Sequence, residues 1–332
     1  MNAMPATPKT PPLIETRDVS KAFAQQSGIT RHRSRRFVHA VDRVSIAIDP
    51  GEILGLVGES GSGKSTLGRL MIRLDRPTDG QIFYSGNDIT TLKGRRLRQQ
   101  RRHMQIVFQD PSASLNPRFT VRDTLEEAIR AHRWGMTKRE LNIRLAALIT
   151  MVGLTGNALD KFPKAFSGGQ RQSIAIARAL AVEPKFIVAD EPVSALDFTS
   201  RSQIVDLIDN LKKELMVSFL IISHDLDVIA RLSNRVAVMY LGRVVEYANT
   251  TDLFENAKHP YTRALVAASL SPDPARKTAL VILPGESPSP LNPPKGCHFH
   301  PRCPHADVRC ELIEPKSREI GPRHIIKCHK DL

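Results

Sequence analysis

The feature that most constrains the fold is a glycine-rich run with the pattern G-x-x-x-x-G-K-[ST], which occupies residues 58–65. Apolar residues 53–57 precede it as a predicted strand, and residues 66–71 follow as a predicted helix, which is the context this pattern requires. Backbone N–H groups of such a loop turn toward phosphate oxygens, and the helix N-terminus and Lys64 add positive charge. The run therefore predicts a nucleotide phosphate site rather than a plain Gly/Ser turn, with Ser65 placed to bind Mg²⁺.

Composition is consistent with a water-soluble enzyme of more than one module. The chain has 332 residues, 41% of them hydrophobic and 25% charged, and this length suggests about two domains. No run of about 18 consecutive apolar residues is present, so no bilayer span is predicted. Residues 1–12 are rich in Pro, Thr and Ala, do not resemble a secretory signal and are predicted to be flexible. We therefore expect a cytosolic location.

The formal net charge of +14 and the basic runs at residues 31–36 and 93–103 raise the question of a nucleic-acid partner. Aromatic residues make up only 5% of the chain and none lies within these runs, so a stacking platform for single strands is missing. No nucleic-acid partner is expected. Basic loops that face anionic lipid headgroups, or simply solvent, account for the same residues, and both alternatives stay open.

A pair of carboxylates follows a second predicted strand, at residues 185–189. Acids at such a position lie at the carboxyl edge of a parallel sheet, where ligands of open α/β folds bind. Asp190 is predicted to reach the Mg²⁺ shell, and Glu191 to orient or deprotonate the attacking water. The alternative, a strand that ends in a charged turn, is less favoured beside a phosphate loop.

The segment Phe166-Ser167-Gly168-Gly169-Gln170 opens a helical pattern that continues to residue 180. It resembles the signature sequence of ABC transporters. In that family the turn closes over the γ-phosphate of a nucleotide bound to the opposite subunit, so the resemblance implies that Ser167, Gly168, Gly169 and Gln170 bind ATP in trans. Phe166 replaces the usual leucine and keeps an apolar anchor.

Other elements of the same family follow in order. The resemblance implies that Phe23 stacks on adenine, that Gln109 reaches the metal and the attacking water, and that His224 contacts the γ-phosphate. Asp197 matches the D-loop, which crosses the dimer interface. The implied ATP contacts within one chain are Phe23, Gly58, Glu59, Ser60, Gly61, Ser62, Gly63, Lys64, Ser65 and Thr66; Mg²⁺ would be held by Ser65, Gln109 and Asp190, and catalysis carried by Glu191, His224 and Gln109.

The implied fold class is α/β, a P-loop NTPase ABC cassette with a RecA-like core, an antiparallel β subdomain and an α-helical subdomain at about residues 112–182. The cassette would span residues 13–256. Within it, amphipathic helices are predicted at residues 121–134 and 137–152. Two cassettes would bind two ATP molecules head to tail, and hydrolysis would let them part.

Residues 110–118 resemble the version of this loop found in importers of the oligopeptide, dipeptide and nickel group. We interpret them as the docking surface for a membrane permease, the alternative being a proline-punctuated loop without a partner. The implied partners are a second ATPase subunit, two integral-membrane permease subunits and a periplasmic solute-binding protein. The implied location is the cytoplasmic side of the inner membrane, as a peripheral subunit.

Strands are predicted at residues 235–241 and 243–246, and a C-terminal extension is expected from residue 257 to 332. Residues 259–265 resemble the start of the extension specific to oligopeptide/dipeptide importer ATPases, and proline-rich residues 283–294 are interpreted as an extended linker.

All four cysteines of the chain, Cys297, Cys303, Cys310 and Cys328, lie in this extension with the spacing C-x5-C-x6-C-x17-C. In a reducing cytosol thiolate ligation is favoured over disulfides. Five histidines surround them, so zinc is an alternative, but the usual C-x2-4-C pairs are absent. Four thiolates with Pro301 and Pro304 favour a [4Fe–4S] cluster, which the resembled extension carries; unliganded cysteines are the third alternative.

The leading functional hypothesis is the ATPase subunit of a peptide importer. Nickel, opines or glutathione are alternative cargoes. A soluble ABC ATPase acting on nucleic acid and an iron-sensing or redox-sensing regulator are the alternatives from other classes.

Overall fold

The computed structural model describes residues 11–25, 36–132, 135–269 and 283–332. The expected flexible residues 1–10 and most of the basic run at 31–36 lie outside that part of the chain. The strands are β1 (Ile14–Gln25), β2 (Arg36–Ile48), β3 (Ile53–Val57), β4 (Asp79–Tyr84), β5 (Asn87–Asp88), β6 (Met104–Val107), β7 (Phe186–Asp190), β8 (Ser218–Ile222), β9 (Arg235–Tyr240), β10 (Arg243–Asn249), β11 (Arg318–Gly321) and β12 (His324–Ile326). The α-helices are α1 (Lys64–Met71), α2 (Gly94–Arg101), α3 (Pro111–Ser114), α4 (Val121–Arg130), α5 (Lys138–Met151), α6 (Gly168–Leu180), α7 (Phe198–Leu215), α8 (Leu226–Leu232), α9 (Thr250–Asn256), α10 (Pro260–Ala268) and α11 (Val308–Leu312).

The strands form two sheets, as the predicted fold class requires. The larger sheet has the order β11-β12-β10-β9-β3-β8-β7-β6, and β9, β3, β8, β7 and β6 run parallel. The smaller sheet, β2-β1-β4-β5, is antiparallel. Every residue of β3, β7 and β8 is buried, because helices cover both faces of a parallel sheet.

Strand β3 separates the two apolar cores. Ile53 and Val57 pack with the helical side of the molecule, whereas Leu54 and Leu56 pack with α1 and the antiparallel sheet. Successive side chains of a strand point to opposite faces, so one short strand serves both cores. The glycine-rich residues 58–65, which follow Val57, therefore begin between the two apolar cores.

The two amphipathic helices predicted in the insertion are present. Helices α4 and α5 each begin with a capping box, formed by Thr120 with Asp123 and by Thr137 with Glu140. Helix α4 ends at Arg130, earlier than predicted, and residue 134 lies outside the described part. Helix α2 covers most of the basic run at residues 93–103 and has no buried residue, which agrees with a solvated face. No helix among the described residues is long and apolar enough to cross a membrane.

The predicted C-terminal strands are observed as β9 and β10, and the extension continues their sheet. Strand β12 pairs antiparallel with β10 through Glu246 with Ile326 and Tyr247 with Ile325. Residues 283–294 contain no helix or strand, as predicted for a linker, yet they lie against the protein. Leu283 packs on the apolar core, and Nε of Arg302 donates to the carbonyl oxygen of Pro284 at 3.3 Å.

Candidate nucleotide-binding site

The glycine-rich loop connects β3 to α1, as predicted, and two of its glycines are required by close packing. Gly58 has φ 149° and Gly63 has φ 104°, both in the region that favours glycine. A Cβ atom at Gly58 would lie 2.1 Å from the carbonyl oxygen of Met239, and one at Gly63 would lie 2.0 Å from that of Ala40. The loop is therefore pressed between β9 and β2 in a conformation that only glycine allows.

Lys64 lies inside this loop and is almost fully buried. Its ammonium group donates to the carbonyl oxygens of Gly58 at 2.7 Å and Glu59 at 2.8 Å. Burial lowers the pKa of Lys64, and the nearby carboxylates of Glu191, Asp190 and Glu59 oppose this effect. The loop thus holds a cation at the start of a helix, which suits an anionic ligand.

The three predicted Mg²⁺ ligands lie around one cavity. Its volume is about 360 Å³, and Ser65, Gln109 and Asp190 are all in its lining. The hydroxyl of Ser65 donates to Oδ1 of Asp190 at 2.9 Å. Burial raises the pKa of Asp190, and the hydrogen bond from Ser65 opposes the rise. Oxygen atoms of this kind are the ligands that Mg²⁺ prefers, so the residues fit the ion.

The three residues predicted to act in catalysis also converge. Nε2 of Gln109 donates to Oε2 of Glu191 at 3.2 Å, and Nδ1 of His224 lies 3.2 Å from Oε1 of the same carboxylate. Glu191 has φ 47°, a costly conformation for a side chain of its size, and its N–H donates to the carbonyl oxygen of Ile222 at 2.9 Å. Strained residues of this kind cluster at functional sites.

Residues 167–170 form the N-terminus of α6. Oγ of Ser167 accepts from the N–H of Gln170 at 3.3 Å, and Oε1 of Gln170 accepts from the N–H of Ser167 at 3.1 Å. Ser167 is exposed, and Phe166 is buried as the predicted apolar anchor. Residues 167–170 do not line the cavity beside Ser65 and Asp190, nor a second cavity beside Gly58 and His224.

Asp197 caps the N-terminus of α7 beside that turn. Its carboxylate accepts from the N–H of Ser200 at 2.9 Å and from the hydroxyl of Ser200 at 2.7 Å, and these hydrogen bonds lower the pKa of Asp197. A Cβ atom at Gly169 would lie 2.8 Å from Cβ of Ser200. The predicted D-loop and the signature turn therefore pack together through Ser200.

Phe23 lies on β1 and is 42% exposed, a degree of exposure that is unusual for a core phenylalanine. It pairs with Val38 of β2, two residues before Ala40, whose carbonyl oxygen abuts Gly63. The register thus places this aromatic residue near the phosphate loop, and the ammonium of Lys21 lies over its ring, 5.0 Å from the centroid.

A second cavity, of about 400 Å³, lies on the other side of the loop. Gly58, Glu59, Ser60 and His224 line it together with residues of α10, among them Leu265 and Ala268. Two residues that sequence patterns did not reveal also reach the loop: Tyr261, whose hydroxyl accepts from the N–H of Glu59 at 2.8 Å, and Arg302, which donates to the carboxylate of Glu59. No local pattern signals contacts between residues so far apart in the chain.

The four cysteines are free thiols, and burial raises the pKa of each, that of Cys297 to about 11. Cys297 also experiences the charges of Cys328, Cys310 and Cys303, so the four thiols share one region. Within the described ranges, no group of three or more His, Cys, Asp or Glu side chains is arranged to hold a metal ion. The geometry therefore gives no support to the predicted zinc or iron–sulfur site.

Four of the five surrounding histidines use a ring nitrogen on a protein oxygen. The pairs are His298 with Leu241 O, His300 with Cys297 O, His324 with Glu246 Oε1, and His329 with Ile313 O.

Two family profiles match the chain. The ABC transporter profile matches residues 41–194, and the profile of the oligopeptide/dipeptide transporter C-terminal region matches residues 245–310. Among solved structures, a dimeric structure of the bacterial ABC transporter cassette MJ0796 superposes with a TM-score of 0.63 at 30% identity, over 71% of this chain and 98% of that chain. A post-hydrolysis dimer of the same cassette with ADP and Pi gives a TM-score of 0.63 at 28% identity, again over 71% and 98% of the two chains.

The fold and the site therefore define an ATP-binding cassette, and the chain belongs to the ABC-transporter family of ATP-binding subunits. The oligopeptide transport ATP-binding protein AppF of Bacillus subtilis is 47% identical over 321 residues, 96% of this chain and 97% of the relative. A putative peptide import ATP-binding protein of Brucella ovis is 46% identical over 320 residues, 96% of this chain and 98% of the relative.

Proposed function

We propose that this chain is the ATP-hydrolysing subunit of an ABC importer that takes up peptides. The observation that carries the proposal is the convergence of Gln109 and His224 on the carboxylate of Glu191, beside the Ser65–Asp190 pair. A loop that binds phosphate needs no such carboxylate, whereas hydrolysis needs a group that orients or deprotonates water.

Each residue has a distinct task in this proposal. The backbone N–H groups of residues 58–65 and the ammonium of Lys64 hold the phosphates of ATP. Ser65, Gln109 and Asp190 would hold Mg²⁺, which neutralises charge on the phosphates when bound. Glu191 orients and deprotonates the attacking water, and its contacts with Gln109 and His224 fix the carboxylate in place.

The proposed site is completed by a second subunit. Ser167 is exposed at the N-terminus of α6, a 13-residue helix, where free N–H groups and the helix dipole attract anions. Residues 167–170 would cover the γ-phosphate of ATP bound to the partner, with Asp197 at the interface between the subunits. The similar cassette MJ0796 is described as dimeric, which supports this arrangement.

The proposed cargo is a peptide, because the relatives AppF and the Brucella ovis protein are named for oligopeptide transport and peptide import. The proposed partners are two integral-membrane permease subunits and a periplasmic solute-binding protein, with the chain attached to the cytoplasmic side of the inner membrane. The permeases would dock at residues 110–118, where Asp110 caps α3 and Pro111 begins it. Nickel, opines and glutathione are the alternative cargoes.

ATP hydrolysis is tested with the substitution Glu191→Gln in the full chain, assayed with its partner subunits. We expect the hydrolysis rate to fall by a factor of at least about 100 while ATP still binds, because a general base contributes about 10²–10⁴. The matched control is Glu255→Gln, at an exposed position on α9. A Glu191→Gln variant with the normal rate would overturn the catalytic assignment.

The cargo is tested by reconstitution of the chain with its permeases and binding protein in vesicles. Uptake of a labelled oligopeptide that depends on ATP supports the proposal. Uptake of nickel, an opine or glutathione in place of peptide assigns a different cargo, and co-purification with ribosomes instead of permeases contradicts an importer.

We further propose that the four cysteines bind a [4Fe–4S] cluster. Each thiolate of such a cluster binds a different iron, so the four sulfurs need not converge on one ion. Sγ of Cys328 accepts from the N–H of Lys330 at 3.4 Å, a contact typical of cluster sulfurs. Iron, acid-labile sulfide and visible absorbance in protein purified without oxygen test the proposal; stoichiometric zinc in a colourless protein contradicts it.

A further inference from the structure

Glu59 of the phosphate loop is held at three points. Its N–H donates to the hydroxyl of Tyr261 at 2.8 Å, and its carbonyl oxygen accepts from the ammonium of Lys64 at 2.8 Å. Both oxygens of its carboxylate accept from Nη1 of Arg302, each at 3.0 Å. Two of these three partners lie 202 and 243 positions away, in the C-terminal part of the chain.

Arg302 is held in place for this contact by the packing around it. Its side chain is 9% exposed and lies on a one-turn 3₁₀ helix, His300–Arg302, in which the N–H of Arg302 donates to the carbonyl oxygen of Phe299 at 3.0 Å. The ring of Phe299 is buried and lies 5.5 Å from that of Tyr261 and 5.3 Å from that of Tyr240, between ring centroids. Packing of the aromatic rings therefore fixes both partners of Glu59.

The charge of Glu59 matters because a carboxylate in a phosphate-binding loop repels the ligand. Charges near a protein surface interact appreciably at distances of a few ångströms, and less screening occurs where one partner is buried. Arg302, from the extension, neutralises that carboxylate through hydrogen bonds to both of its oxygens. Without Arg302, the negative charge of Glu59 is left unpaired beside the phosphates.

We propose that Arg302 and Tyr261 are positioning residues for the ATP site, and that the C-terminal extension sets the nucleotide affinity of the phosphate loop through Glu59. This inference rests on the proposed ATP site. It adds to that site two residues which do not contact the nucleotide themselves and which act only through the loop.

The first test measures the affinity of the full chain for a fluorescent, non-hydrolysable ATP analogue in the presence of Mg²⁺. We expect Arg302→Gln to weaken binding about tenfold, the size of effect that a charge-assisted hydrogen bond has. Arg302→Lys keeps the charge but not the geometry, and we expect it to recover part of the affinity. The matched control is Arg318→Gln, because Arg318 is in the same extension but pairs with the exposed Asp331.

The second test separates the charge effect from a general loss of structure. Glu59→Gln removes the carboxylate charge, so the double variant with Arg302→Gln should bind the analogue more tightly than Arg302→Gln alone. Tyr261→Phe removes only the hydroxyl and should weaken binding about threefold, since a neutral hydrogen bond is lost. In the hydrolysis assay, Arg302→Gln should raise KM for ATP and leave kcat unchanged.

The outcomes distinguish this inference from the proposed function. If Arg302→Gln binds the analogue as tightly as the unsubstituted chain, or if the double variant is as weak as Arg302→Gln, the inference is wrong. If the unsubstituted chain itself binds no nucleotide, the proposed ATP site is wrong instead. Thermal unfolding of each variant identifies any that fail to fold. If Arg302→Gln does not fold, the affinities of Arg302→Lys and Tyr261→Phe for the analogue test the inference in its place.

Discussion

The hydroxyl of Ser65 donates to Oδ1 of Asp190 at 2.9 Å and so joins two residues that are 125 positions apart. The contact links the first turn of α1 to the last residue of β7. Burial raises the pKa of Asp190, so a proton competes more strongly for this carboxylate than for an exposed aspartate. Any cation bound between the two oxygens must compete with that proton.

We predict that Asp190→Asn weakens binding of the Mg²⁺ on which ATP hydrolysis depends. The amide keeps the shape of the side chain but loses the charge that attracts the ion, so half-maximal activity should need at least about tenfold more Mg²⁺. Titration of activity against Mg²⁺ checks this, with Asp209→Asn as the control, because Asp209 pairs with Lys213 on the surface of α7. Equal Mg²⁺ requirements in the two variants would argue against Asp190 as a ligand.

Gly63→Ala should abolish nucleotide binding. The added Cβ would meet the carbonyl oxygen of Ala40 at 2.0 Å, and the backbone of neither segment can give way without moving the loop. Gly94→Ala is the control, because Gly94 also has a positive φ, 55°, but has open space around it. Binding of the fluorescent ATP analogue distinguishes a local clash from backbone strain alone.

Arg235→Ala should destabilise the fold strongly. Nη2 of Arg235 donates to Oε2 of Glu52 at 2.7 Å, and both side chains are less than one tenth exposed. Removing one partner of a buried pair leaves the other charge uncompensated, at a cost of about 3–5 kcal/mol in the free energy of unfolding. Arg231→Ala, which breaks an exposed pair with Asp206, should cost less than about 1 kcal/mol.

Urea unfolding of the two variants supplies the comparison. Replacing both Arg235 and Glu52 by apolar residues should cost less than Arg235→Ala, because no unpaired charge is then buried. Equal losses in the free energy of unfolding for Arg235→Ala and Arg231→Ala would contradict the claim that burial makes the Arg235–Glu52 pair more important than the exposed Arg231–Asp206 pair.

The free energy of unfolding should fall as the pH is lowered through the range between the pKa of His259 in the unfolded chain and its pKa in the folded chain. This side chain is buried, its Nδ1 accepts from the N–H of Tyr261 at 3.1 Å, and burial lowers its pKa from 6.5 to about 4. Between these values the unfolded chain binds a proton that the folded chain does not, so the free energy of unfolding rises with pH and decreases on acidification. The loss from pH 6.5 to 4 amounts to about 3 kcal/mol.

The measurement is unfolding by urea across that pH range. His259→Asn keeps an acceptor for the N–H of Tyr261 without a titrating ring, so its pH dependence should be shallower. His39→Asn, at an exposed position of β2, should leave the pH dependence as it is. If the free energy of unfolding changes with pH equally in His259→Asn and in the unsubstituted chain, His259 is not the source of that pH dependence.

Much of the ATP site could be predicted from the sequence, because each of its parts is a short continuous segment of the chain. The phosphate loop, the Asp190–Glu191 pair and the capped turn at Ser167 each combine a short pattern with a strand or helix end, and the structure has those elements where they were predicted. Gln109 and His224 meet at Glu191 because the parallel sheet brings the carboxyl ends of β6, β7 and β8 to one edge.

The links from the extension to the loop could not be predicted in the same way. Tyr261 and Arg302 contact Glu59 only because β10, α10 and the aromatic cluster pack in one arrangement, and no periodicity in the chain records that arrangement. Strands β11 and β12 were missed because they are four and three residues long, too short for an alternating pattern to stand out. The four cysteines were recognisable, but spacing alone did not determine whether they bind a metal or remain free thiols.

The pairing of β12 with β10 also bears on aggregation. Without the last residues of the chain, β10 would present unpaired N–H and C=O groups along a strand that is buried over most of its length. Such an edge is a template for pairing with other molecules. The natural outer edge is instead β11, which is short and carries Arg318 and Glu319. The C-terminal extension thus covers the edge of β10 and leaves only a short, charged strand open to pairing with other molecules.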